Sequence, residues 1–211
     1  MATFGTLDSG RSGARHDPET PLPEHPLPAR PLPARTVAVW DPLVRLIHWT
    51  LALTILINSV FTEEESKLHE WVGYVALGLV AVRLLWGLIG TKPARFTAFP
   101  PSPAGALRHL AALAKGDKTV HLSHNPIGAL MVYNIWATVV ALGLTGYMMG
   151  TVTFFGMEWV EEVHEAAFGW LIFSVALHVA GVFFDTWRSG VPLVKAMVDG
   201  RKRIPEGTRT E

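Results

Sequence analysis

The chain contains no cysteine. That excludes disulfides, thiolate-held iron–sulfur clusters and covalent C-x-x-C-H cofactor attachment, so any cofactor must be held without a thioether link. Charge is also scarce: Asp, Glu, Lys and Arg make up 17% of 211 residues, against 49% hydrophobic. An apolar excess of that size marks an integral membrane protein, and the formal net charge of zero adds nothing as a sum. No continuous basic stripe is interleaved with aromatics, which argues against nucleic acid as a partner. Neither His-Glu pair, HEWVG at 69–73 or HEAAF at 164–168, extends to H-E-x-x-H, so a zinc-protease site is excluded.

Four apolar segments are present: about Pro42 to Phe61, Leu68 to Ile89, Pro126 to Gly150 and Val163 to Trp187. Each approaches the roughly 20 residues that cross a hydrocarbon core. Asp41 and Pro42 form an N-cap and N1 pair for the first. Seven of the eight tryptophans lie mostly towards segment ends, as interfacial belts require. The expected fold is therefore all-α, an integral membrane four-helix bundle. Two short interfacial helices join it: an amphipathic one at 104–115 with Leu107, Leu110, Leu113 and Ala114 facing lipid, and one at 191–199 stopped at Gly200.

Charge is sorted by side. Lys92, Arg95, Arg108, Lys115 and Lys118 occupy the middle connection, and Arg188, Lys195, Arg201, Lys202, Arg203 and Arg209 follow the fourth segment. The other two connections carry Glu63, Glu64, Glu65, Glu158, Glu161 and Glu162 against Lys67 alone. The positive-inside rule then puts both termini and the middle loop in the cytoplasm. Three regions are expected: residues 1–36 as a disordered Pro-rich cytoplasmic arm containing PLPEH, PLPAR and PLPAR, 37–200 as the membrane domain, and 201–211 as a basic tail. The arm lacks the apolar h-region of a signal peptide.

Against this background four histidines stand out: His48, His69, His164 and His178, inside or at the ends of apolar segments. An ionisable residue there is expensive and by default marks function. His164 and His178 are fourteen residues apart, about 40° short of four turns, so they share a helix face with roughly 21 Å of rise between them. Topology pairs His48 with His178 on the basic side and His69 with His164 on the acidic side; no other pairing matches in depth. One zinc ion cannot reach all four, because its ligands lie at about 2 Å, and two ions with two histidines each are under-liganded. A porphyrin iron needs only two axial imidazoles, so a bis-histidine b-type haem at each level fits the ligand count. Small residues one turn on, Ala52, Gly73, Ala167 and Gly181, leave space beside each ring. A lone interfacial histidine is more often a hydrogen-bonded packing residue, and four at matched depths weigh against that. A proton pathway normally brings acidic residues at mid-depth, and these segments have none.

Arg83 lies fourteen residues after His69 and points to the level of His48 and His178. It reads equally as a haem-propionate partner or as a cation snorkelling to the interface, with Arg45 a weaker candidate for the first role. His109, His121 and His124 fall in the basic loop, where solvated or turn-forming roles are the default. Asn134 and Tyr133 read as interhelical polar contacts.

The stretches VWDPLVRLIHW (39–49), LHEWVGYVALGLVAVRLLWGLIGTKPARF (68–96), HNPIG (124–128) and VHEAAFGW with ALHVAG (within 163–181) together resemble the bacterial di-haem cytochrome b-561 family, which includes the b-type subunit of nickel–iron hydrogenases. The resemblance runs over about residues 37 to 200. It implies two haem b groups ligated by His48, His69, His164 and His178. It also implies electron exchange in the bacterial inner membrane between the quinone pool and a periplasmic or membrane partner. A c-type cytochrome, hydrogenase or dehydrogenase subunit is the partner expected beside membrane lipid. Alternatives are a stand-alone quinone-linked oxidoreductase, for example with superoxide as donor, and a haem-bearing anchor of a larger dehydrogenase or hydrogenase complex.

Overall fold

Asp41 does more than begin a helix. In the computed structural model, which describes residues 34–64 and 66–210, its Oδ1 caps helix α1 (Pro42–Val60) by accepting the Val44 N–H at 2.9 Å. Its Oδ2 accepts from Trp86 Nε1 at 3.0 Å and from Thr91 Oγ1 at 2.7 Å, both beside the end of helix α2 (Lys67–Ile89). Burial opposes ionisation of Asp41, but these donors outweigh it and hold its carboxyl below the ordinary aspartate value. One side chain thus fastens the start of the first span to the end of the second.

After α2 come two single 3₁₀ turns (Lys92–Ala94 and Phe96–Ala98), α3 (Pro103–Ala114), α4 (Pro126–Met149), α5 (Glu158–Ser189) and α6 (Leu193–Asp199). Ser66, Ser102 and Asn125 cap α2, α3 and α4 through side-chain oxygens, as the sequence around each helix start favours. Helices α1, α2, α4 and α5 are long and apolar enough to cross a membrane. At 32 residues, α5 is about 48 Å long and exceeds the hydrocarbon core of roughly 30 Å. It begins five residues before the expected Val163, because Glu158 and Glu161 suit the positive end of a helix dipole.

The spans pack in chain order, α1 on α2, α2 on α4 and α4 on α5, while α1 and α5 barely touch. The main core is formed by Leu51, Ala76, Val80, Trp136, Val139 and Leu171, closed at one end by Phe99 and Ala129. Large apolar side chains such as Leu53, Leu85, Phe173 and Phe183 point outward, as lipid-facing residues do. Within the bundle Asn134 of α4 donates to Ser174 Oγ of α5 at 2.8 Å and accepts from Trp170 Nε1 at 2.9 Å, the interhelical role expected of it. Tyr133 instead packs among the rings of Phe96, Phe99 and Trp136.

At the basic end the structure departs from expectation. Residues Ala34–Ala38 form strand β1, which pairs antiparallel with β2 (Arg201–Pro205) in the register Val37↔Lys202. Residues 34–36 therefore belong to the folded unit, and the Pro-rich arm assigned to 1–36 lies otherwise outside the described residues. The tail assigned to 201–211 is likewise not a free basic extension. Alternation in β2 turns Lys202 and Ile204 inward, and Lys202 Nζ donates to His121 O at 2.9 Å and Ser123 O at 2.8 Å. Helix α6 ends at Gly200 as expected; its φ of 81° is the left-handed region glycine favours, and its carbonyl accepts from Val39 and Trp40. Helix α3 has no buried residue, with Leu107 and Leu110 exposed, as an interfacial helix requires.

Candidate functional site

His48 lies about two turns into α1, near the basic end, and His178 about three turns before the same end of α5. Their ring centres are 6.4 Å apart with the ring planes inclined at 54°. At the opposite end His69, in the first turn of α2, faces His164 of α5 with ring centres again 6.4 Å apart and planes inclined at 56°. The two pairs join helices that the packing order leaves apart, α1 with α5 and α2 with α5. The fourteen-residue spacing on α5 separates the pairs by roughly 21 Å along the helix.

The spacing within each pair can be compared with chemistry. Imidazole–metal bonds are about 2.0 Å and a ring nitrogen lies about 1.1 Å from its ring centre, so two imidazoles on opposite sides of one metal would stand about 6.2 Å apart. Both pairs have that spacing. Among the described residues no group of three or more His, Asp or Glu side chains converges as a closed metal site would require. Each pair therefore suits a metal that brings its own equatorial ligands.

Local contacts hold the acidic-end rings in place. The His69 amide donates to Ser66 Oγ at 3.1 Å, and Asn58 Nδ2 of α1 donates to His69 O at 3.1 Å. Thr62 Oγ1 lies 3.2 Å from His69 Nδ1, and Thr145 Oγ1 of α4 lies 2.8 Å from His164 Nδ1. Gly146 lets α4 approach: a Cβ there would stand 3.4 Å from His164 Cε1. Sequence reasoning missed all three of Thr62, Thr145 and Gly146. For Thr145 and Gly146 a polar Thr beside a Gly within an apolar span was the available signal; Thr62, past the end of α1, carried none. Of the small residues it did name, Gly181 has open space where a Cβ would be, and at Gly73 a Cβ would meet only Asn58 Nδ2 at 3.7 Å.

The basic-end pair has different surroundings. His48 Nδ1 is buried without a hydrogen-bond partner. Arg83 is only 4% exposed, so it does not snorkel. Its Nη2 donates to Ala94 O at 3.0 Å, its guanidinium carbon lies 5.0 Å from the Trp136 ring centre and 5.8 Å from that of Phe99, and its Nη1 has no partner. Arg45 packs at Gly200 with its Nε buried and unpartnered. His124 is not solvated, as its loop position suggested. It is wedged between Trp40 at 4.8 Å and Phe99 at 4.6 Å, with Nδ1 buried and unpartnered. Burial, reinforced by the charges of Lys202 and Arg83, pushes His124 down to about 3, so it is neutral. His109 and His121 pack edge to face, 4.9 Å apart.

This end thus collects buried cations and donors short of partners, the chemistry of an anion's surroundings. The opposite end carries exposed Glu63, Glu64, Glu70, Glu158, Glu161, Glu162 and Glu165. A family model for prokaryotic cytochrome b561 matches residues 39–200, which include all four histidines. No curated protein matches the chain.

Proposed function

The chain belongs to the prokaryotic cytochrome b561 family, and we propose that it moves electrons between a redox partner at its acidic end and the membrane quinone pool. It is a transmembrane b-type cytochrome of a bacterial membrane. In our reading His48 and His178 would hold one haem b, and His69 and His164 a second. The observation that carries this is the shared 6.4 Å ring spacing at two depths on α5. Each bound haem would supply a one-electron couple.

The residues of the chain divide the remaining work. The four imidazoles ligate, and the α5 spacing sets the two depths. The outward Leu and Phe side chains keep lipid around the bundle and water out of it. Arg83 and Arg45, with buried nitrogens lacking partners, would receive haem propionates at the basic end. The lysine and arginine excess puts that end in the cytoplasm. Seven exposed glutamates at the other end suit a basic periplasmic donor such as a c-type cytochrome.

Stopped-flow mixing of the purified protein with a quinol tests the quinone link. Reduction should show as growth of a b-type absorbance band. Failure of any quinol to reduce the protein would contradict this reading.

A further inference from the structure

Thr62 and Thr145 share an arrangement on opposite sides of the acidic-end pair. Thr62 Oγ1 donates to Asn58 O at 3.1 Å, and Thr145 Oγ1 donates to Ala141 O at 2.8 Å. Each hydroxyl hydrogen is thereby committed to a carbonyl one turn back. What remains for the imidazole is an oxygen lone pair, 3.2 Å from His69 Nδ1 and 2.8 Å from His164 Nδ1. Both rings are therefore held with the hydrogen on Nδ1, donating to threonine, and with the free lone pair on Nε2. The basic-end pair has no such support at His48, whose Nδ1 is buried and unpartnered.

A ligating histidine that donates its other N–H becomes a more basic ligand and favours the more oxidised metal. Resting on the two-haem reading above, we propose that Thr62 and Thr145 are positioning residues that set the acidic-end haem at the lower of the two potentials. The buried Arg83 and Lys202 act in the same sense at the other end, where positive charge favours the reduced state. The exposed glutamates disfavour it at the acidic end. An electron entering beside the glutamates then passes downhill towards the basic end.

The test is a redox titration of the full-length protein, followed by haem absorbance, comparing wild type with Thr62→Val, Thr145→Val, the double variant and Thr145→Ser. The valine variants should keep two haems per chain and raise the lower potential, the double variant most, with the higher potential unmoved. Thr145→Ser, which keeps the hydroxyl, should titrate as wild type. Thr62 acts on the opposite ring, so its variant carries the test alone should Thr145→Val fail to accumulate. Unmoved potentials in valine variants that retain both haems, or movement of the higher potential instead, would overturn the proposal. Failure of the two-haem reading shows separately, as a wild-type protein without two haems.

Discussion

His48 and His178 face each other with ring centres 6.4 Å apart, although the helices that carry them, α1 and α5, scarcely touch. The main core does not close the α1–α5 side; it runs through α1, α2, α4 and α5 by way of Leu51, Val80, Val139 and Leu171. The His48–His178 ring pair is thus a point of close approach between two helices that otherwise pack only through their neighbours.

If each pair holds one haem as proposed, losing either histidine of a pair has the same effect, and the two pairs act independently. His48→Ala and His178→Ala should each remove the same haem, and His69→Ala and His164→Ala the other. Redox difference spectra of the four variants should sort two and two. Loss of different haems from His48→Ala and His178→Ala would break the pairing.

Arg83 is buried among Phe99 and Trp136 with one nitrogen unpartnered. Arg83→Gln keeps a hydrogen-bonding head and deletes the charge. It should lower the basic-end potential by about 60 mV or more, a factor of ten for one electron. The acidic-end potential should stay put. Equal movement of both, or of neither, would count against a role at the basic-end haem.

Gly200 and Gly190 end α6 and α5 with similar left-handed backbones, φ 81° and 70°. A Cβ on Gly190 meets nothing within 4 Å, whereas one on Gly200 would lie 2.7 Å from the Trp40 carbonyl oxygen. Alanine at either should cost about 1–2 kcal/mol for the backbone alone. Gly200→Ala should cost distinctly more, because the Gly200 carbonyl also anchors Val39 and Trp40. Thermal melts in detergent would rank them, and equal melting temperatures would refute the close approach.

Burial holds Lys202 down to about 8 from an ordinary 10.5, only partly offset by Asp185. Between those values the unfolded chain binds more protons than the folded one, so this residue's contribution to stability rises with pH across about 8 to 10.5. Below pH 8 the cost of its buried charge is fully present. Lys202→Met should lose two part-buried hydrogen bonds to the His121 and Ser123 carbonyls, roughly 1–3 kcal/mol, and should lose that pH-dependent rise. Melting curves of both proteins across the window should diverge as pH rises; parallel curves would contradict it.

Much of this was legible in the chain because the signals are local. Hydropathy and helix period locate the four spans, Asp41 and Gly200 announce a start and a stop, and a fourteen-residue interval sets two histidines on one face. What stayed hidden depends on partners distant in sequence. Strands of five residues at 34–38 and 201–205 mean nothing until each is seen to pair with the other. Lys202 reads as one more tail cation until that pairing turns it inward. His124 looks like a loop histidine until Trp40 and Phe99 close on it from different connections. Thr145 reads as a helix threonine bonded to its own backbone, which it is, and only the fold brings His164 to its free lone pair.

The most direct measurement is a pyridine haemochrome assay on the purified protein, with the haem-to-protein ratio determined alongside. Two haems b per chain is the predicted result. A ratio near one or near zero would contradict the assignment of His48 with His178 and His69 with His164 as two ligand pairs.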